Sequence, residues 1–296
     1  MNQNEMHLLR AVCENNMKDA KAYARIMLEA DNTQKNKAFC QRMLNRLREP
    51  SANLMELPAN LSGILMKEDV SMSFRESRYY LSHREEELLS TIMKMNRAAN
   101  KLSEMGIHYR NAAILYGDSG TGKTTFGRYA AYKLGVPFSY LNMSNLLDSY
   151  LGNTQKNIER AFDHICIAPC VFMLDELDAI GEKRGNDNVK EMGRITISLI
   201  QNIDRLPNEV ILLAATNRLD IIDEALLRRF SLKHKVEMFR ETDNRAMVLK
   251  FLSDVGFSLD EDTISRLCGH VRPQAEIMDA VIRIIADHLI STMDKE

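Results

Sequence analysis

Residues 117–124 read GDSGTGKT, directly behind the apolar run NAAILY at 111–116. Gly117-x-x-x-x-Gly122-Lys123-Thr124 is the spacing of a phosphate-binding loop (P-loop), a motif with meaning only between a strand and a helix. Both neighbours are present: AAILY reads as a buried strand and KTTFGRYAAYKL as the helix that follows. Glycines let the chain curl so that successive N–H groups converge on phosphate oxygens, and the helix N-terminus adds positive potential. This reading makes Gly117, Asp118, Ser119, Gly120, Thr121, Gly122, Lys123, Thr124 and Thr125 the nucleotide-binding loop. Lys123 reaches the β- and γ-phosphates, and the Thr124 hydroxyl binds Mg²⁺.

Downstream, short apolar runs alternate with helical stretches. VPFSYL, CVFMLD, VILLAAT and HKVEM are the runs; TQKNIERAFDHI and RITISLIQNI are helical in pattern. Strands apolar throughout and separated by helices predict a parallel sheet covered on both faces, an α/β fold. CVFMLDE ends a buried strand in Asp175-Glu176. There Asp175 can hold the shell of a Mg²⁺ ion, and Glu176 can polarise a water for in-line attack on the γ-phosphate of ATP.

Around this centre the chain divides into four parts. Residues 1–50 predict a helical hairpin, with Leu8, Leu9 and Val12 on one face, then Ala20, Tyr23, Ala24, Met27 and Leu28 at helical spacing. EADNTQKN is its polar connection, and Pro50 ends it. Residues 51–105 predict a linker without clear periodicity, then a helix capped by Ser82 and ended by Gly106. Residues 106–239 form the α/β nucleotide-binding domain. Residues 240–296, again helical, form a small α-helical lid.

Composition restricts the function classes. The 296 residues are 45% hydrophobic and 27% charged with a net charge of -2, which provides no global field for nucleic acid or an anionic membrane. No apolar stretch approaches the ~20 residues of a membrane span. The N-terminus lacks the basic start and apolar core of a secretory signal, so a cytoplasmic location is expected. Five scattered cysteines make no disulfide framework. Cys166 and Cys170 have no second pair or histidine to complete a zinc site.

Several blocks in the expected order resemble an AAA ATPase of the AAA+ superfamily, in the clade of katanin-like enzymes and AAA-protease motors. GIHYRNAAILYGDSGTGKTTFG is similar to the approach to Walker A, with Asp118-Ser119 where Pro-Pro is usual. VFMLDELDAIGEKRG is similar to Walker B and its extension, and VILLAATNRLDIIDEALLRRF to sensor 1 and the arginine-finger segment. The resemblance implies that Asn217 orients the attacking water. It also implies that Arg228 and Arg229 reach a neighbouring subunit's nucleotide, and hence a homo-oligomeric ring, a hexamer. Tyr150-Leu151-Gly152 falls on the aromatic-hydrophobic-glycine triplet of pore loop 1, implying a grip on extended polypeptide. Gly106-Ile107-His108 sits where the family packs backbone on adenine. Pro273-Gln274-Ala275-Glu276 departs from the Ser-Gly-Ala-Asp common in the lid, and Arg272 before it stands as a sensor-2-like phosphate contact.

The expectation is therefore an ATP- and Mg²⁺-dependent motor that remodels, unfolds or threads a protein. Its hairpin at residues 5–49 would engage an adaptor, or a separate protease, since no protease signature follows the lid. Two other readings remain open: a helper ATPase of a DNA transaction, and an ATP-gated assembly switch that recruits a partner through the hairpin. The charge balance and the lack of a basic stripe or helix-turn-helix stand against the first.

Overall fold

The computed structural model describes residues 3–13, 17–30, 36, 40–41, 43–44, 55, 57–58, 60–61, 63–107, 109–149, 153–182 and 189–293. Its sheet is built from β1 (Leu65–Glu68), β2 (Ala112–Tyr116), β3 (Phe138–Asn142), β4 (Cys170–Asp175), β5 (Val210–Thr216) and β6 (Leu232–Lys235), in the spatial order β1-β3-β4-β5-β2-β6. Every pairing is parallel except that of β1 with β3. The helices are α1 (Gln3–Cys13), α2 (Met17–Ala30), α3 (Val70–Ser73), α4 (His83–Glu104), α5 (Lys123–Leu134), α6 (Met143–Ser149) and α7 (Thr154–Ile165). They continue with α8 (Ala179–Glu182), α9 (Val189–Asp204), α10 (Glu224–Leu227), α11 (Glu241–Val255), α12 (Glu261–Cys268) and α13 (Gln274–Met293).

The uninterrupted apolar strands are explained by what they face. Cys170, Phe172 and Leu174 of β4 belong to one core, with Leu146, Ile158, Phe162 and Leu199 of α6, α7 and α9. Val171 and Met173 belong to another, with Ile92 of α4 and Phe126 and Ala130 of α5. Alternate residues thus bury against opposite helical layers, as a doubly covered parallel sheet requires. A third core, built on Val248, Leu252, Ile264, Ile277 and Val281, joins α11, α12 and α13 into the lid.

Two local expectations change. The segment read as a linker contains β1, which pairs antiparallel along β3 from Leu65 opposite Leu141 to Glu68 opposite Phe138. A four-residue edge strand containing Lys67 and Glu68 carries almost no apolar signal, and β3 supplies its order. The N-terminal pair also differs, because α1 packs on α2, and α2 runs into Glu29 and Ala30, the first two residues of the EADNTQKN segment taken as the connection. The His7 and Tyr23 rings stack between them, centroids 5.0 Å apart. Asn15-Asn16, poor helix formers, separate the two in the sequence. The α4 helix runs from an N-cap at Ser82, whose N–H donates to the Glu85 carboxylate at 2.8 Å. Beyond its end, Gly106 is left-handed and the Ile107 N–H returns to the Leu102 carbonyl at 2.8 Å.

No helix among the described residues is long and apolar enough to cross a membrane. None of the five cysteines is bonded to another, and no metal-binding cluster of three or more His, Cys, Asp or Glu occurs among the described residues.

Candidate active site

Parallel strands end on the same side, and here the carboxyl ends of β2, β4 and β5 meet at one cavity of about 470 Å³. Where β2 runs out, the chain needs glycine. A Cβ on Gly117 would lie 2.2 Å from the Val236 carbonyl oxygen. At Gly122, the N-cap of α5, the backbone is left-handed (φ 91), a conformation that favours glycine.

Lys123 opens α5 and is 8% exposed. Its Nζ donates to the Gly117 carbonyl, the Asp118 carbonyl and Asn217 Oδ1, each at 2.8 Å. Burial lowers its pKa, against the opposing pull of Asp175, Asp178 and Asp118. The Thr124 hydroxyl donates to Asp175 Oδ2 at 2.7 Å, and Asp175 Oδ1 accepts the Glu176 N–H at 2.9 Å. Glu176 is exposed on the cavity wall at φ 54. Beneath these groups lies Asp178, a residue the motif reading left without a role. Its Oδ1 accepts from the Thr216 hydroxyl at 2.8 Å and from the Asn217 N–H at 3.2 Å. It therefore ties the loop after β4 to the end of β5.

Ser119 through Thr125 line the cavity, while Gly117 and Asp118 stand behind Lys123 as its carbonyl partners. Asp175, Glu176 and Asn217 line it as well. Arg228 and Arg229 do not. Arg228 pairs with Glu224 at 2.9 Å, and Arg229 grips both oxygens of Asp204 at 3.2 and 3.0 Å. Arg110 shares that carboxylate at 3.1 Å. The Arg229 guanidinium beside Asp204 is the main cause holding its carboxyl below the ordinary range.

The adenine-side expectation needs correction at Ile107. It lies past the far end of α4, a helix of 22 residues and so about 33 Å long, whose opposite end supplies the cavity wall. Arg78, Tyr79, Tyr80 and Glu85 occupy that wall instead. Arg272 is half-buried and off the wall; its neighbours Gln274 and Ala275 line it. His108, Tyr150, Leu151 and Gly152 lie outside the described residues.

The wall residues that sequence reading missed arrive from three distant places. Tyr79 is partly buried, and loss of water around its phenol drives its pKa well above the ordinary value. The Tyr80 hydroxyl donates to Asp243 at 2.7 Å, and burial followed by that bond pushes its pKa up to about 12. Phe239, Met247 and Met278 complete the apolar side. None carries a spacing signal; only tertiary contact assembles them.

The residues present fit a nucleotide with Mg²⁺. The loop lines the cavity beside a buried ammonium held by three oxygens of the chain. A hydroxyl and a carboxylate stand together at Thr124 and Asp175, the hard oxygen donors that Mg²⁺ takes.

Residues 113–238 match the family described as "ATPase family associated with various cellular activities (AAA)". The chain is 36% identical over 175 residues to the 26S proteasome regulatory subunit 6A of Saccharomyces cerevisiae, covering 57% of this chain and 40% of that protein. It is 32% identical over 170 residues to the peroxisomal ATPase pex6 of Schizosaccharomyces pombe, covering 54% of this chain and 18% of that one. An uncharacterised AAA family ATPase, y4kL, of Sinorhizobium fredii is 27% identical over 221 residues, 72% of this chain and 67% of the relative. The chain thus spans well under half the length of the first two relatives.

Proposed function

We propose, from the premise that this chain carries a AAA ATPase domain and with it an ATP-hydrolysing site, that it works as a ring-forming motor on a protein substrate. One observation carries the site assignment: Lys123, Thr124, Asp175, Glu176 and Asn217 converge from three strand ends on a single cavity. Lys123 exchanges its carbonyl partners for phosphate oxygens, while the loop N–H groups and the α5 N-terminus hold the remaining negative charge. Thr124 and Asp175 would hold Mg²⁺, which when bound supplies a Lewis acid at the phosphates. Glu176 accepts the proton of the attacking water, and the Asn217 amide fixes that water's orientation.

The place of two arginines supports the ring. Arg228 and Arg229 stand outside their own chain's site, the arrangement expected of fingers that complete a neighbour's. A hexamer with Tyr150-Leu151-Gly152 facing a central pore is the assembly we favour, placed in the cytoplasm, with residues 5–49 engaging an adaptor or separate protease. Likeness to the proteasome regulatory subunit supports a protein as substrate.

Glu176→Gln tests the centre. The variant should bind ATP, lose turnover by at least ~10³-fold and accumulate as rings in size-exclusion chromatography with ATP. Unchanged turnover would show that another group activates the water. Mixing an Arg228→Ala/Arg229→Ala chain with a Lys123→Ala chain should restore partial ATPase activity through hybrid interfaces. Mixed rings that stay inactive would overturn the finger assignment.

A further inference from the structure

We propose that the cleft between α4 and α5 is a docking site for an amphipathic helix of a partner protein, apolar along one face and carrying carboxylates at one end. The cleft has a volume of about 580 Å³ and shares no lining residue with the nucleotide cavity, so its occupant is independent of what fills that cavity.

The floor is apolar. Leu81, Leu89, Met93 and Ala98 line it together with Tyr129 of α5, and Leu89 and Met93, four positions apart, lie one above the other on α4. Tyr129 is already fixed in place. Its hydroxyl donates to Glu76 at 2.9 Å, and its ring packs on Tyr79 and Phe74 with centroids 4.6 and 5.5 Å away. A concave apolar surface that needs no rearrangement costs a ligand little to occupy. A trough between two helices is the shape that a third helix fills, apolar face inward.

Charge fixes the partner's chemistry. Lys94 and Arg97 line one end, both exposed, and neither has a hydrogen bond or ion pair among the described residues. Lys101, also exposed, continues their row one turn on. Glu86 stands at the other end, about two to three turns of α4 away. The whole chain carries a net charge of -2, so this row of cations is a local excess. A carboxylate-bearing end is drawn to Lys94 and Arg97 and kept from Glu86, which sets the direction of the bound helix as well as its charge. A membrane is the poorer occupant. Leu89 and Tyr129 are only 6% and 8% exposed, so the apolar floor is recessed below the cations and out of reach of a flat lipid surface.

The test titrates the full chain into a fluorescent synthetic peptide of about 15 residues, helix-forming, with Leu along one face and Glu in its first turns. Two control peptides carry Lys in place of each Glu, or Ser in place of each Leu. Fluorescence anisotropy should show saturable binding of the acidic peptide, weakening as salt rises, and no binding of either control at the same concentrations. Lys94→Glu/Arg97→Glu should raise the Kd at least about fivefold. Ala98→Gln, a good helix former that fills the floor, should do the same without altering charge. Both variants should keep the circular dichroism and ATP turnover of the native chain, and either one suffices if the other folds poorly. Equal binding of the acidic and Lys-bearing peptides overturns the proposal, as does an affinity that neither variant changes. So does an acidic peptide that fails to bind the native chain. Capture on phosphatidylserine vesicles, lost in the charge-reversed variant, by a chain that ignores the peptide would assign the cleft to a membrane and overturn it equally.

Discussion

Glu176 is the one non-glycine residue with positive φ among those described, at φ 54. A side chain with a Cβ costs about 1 kcal/mol or more in that conformation. The chain bears this cost at the residue proposed to activate water, where the Asp175 carboxylate clasps the Glu176 N–H. Glu176→Gly should therefore stabilise the fold by about 1 kcal/mol, a rise of about 2–4 °C in Tm, while abolishing hydrolysis. A calorimetric scan showing a lower Tm would mean that the left-handed turn is not strained. At this scale the sequence was legible wherever function is written in consecutive residues. Lys123 and Thr124 open the helix behind β2, and Asp175 and Asn217 sit at the ends of β4 and β5, so local pattern and place on the cavity coincide. Ile107 was misread because position along the chain says nothing of distance once a 22-residue helix intervenes.

Between elements, Asp178 is the joint. Removing its carboxylate in Asp178→Ala leaves the buried Thr216 hydroxyl and the Asn217 N–H without their acceptor. A loss of about 1–3 kcal/mol in denaturant unfolding is expected, with kcat reduced more than ATP affinity as Asn217 loses its fixed aim. Equal losses in kcat and affinity would reduce Asp178 to a structural role. The α9–β6 side offers a pH test. Arg229 holds the Asp204 carboxyl below its ordinary value of 3.8, so the bond stabilises the fold above that pH and is lost as pH falls through the lowered value. The difference in Tm between the native chain and Asp204→Asn should be full near neutrality, shrink as pH falls past 3.8, and vanish only below the lowered value. A difference independent of pH would assign Asp204 no ionic role. Elements with their own periodicity, such as β4 and β5, could be read in advance. The edge strand at Leu65–Glu68 could not, since half its residues are charged and its partner lies some seventy positions downstream.

Across the whole molecule, one segment fastens the lid to the catalytic domain. Arg78 pairs with Asp254, Lys250 donates to the Tyr79 carbonyl at 2.5 Å, and Tyr80 donates to Asp243 at 2.7 Å. All three lid residues lie on α11, and Arg78, Tyr79 and Tyr80 are also cavity wall. Combining Asp254→Ala with Tyr80→Phe should speed hydrogen exchange in α11 and raise the KM for ATP several-fold, with a smaller change in kcat. Unaltered exchange would show that the lid is held by its apolar contacts alone. The contact of Ala275 with the Gly120 carbonyl completes this fastening on the opposite flank. On the motor reading proposed above, a pull that swings the small bundle would tug on the very peptide that lines the nucleotide cavity, making traction and nucleotide retention two readings of a single spring. Whatever tightened the grip on a triphosphate would then stiffen the bundle against load, and load would set how fast spent nucleotide escapes.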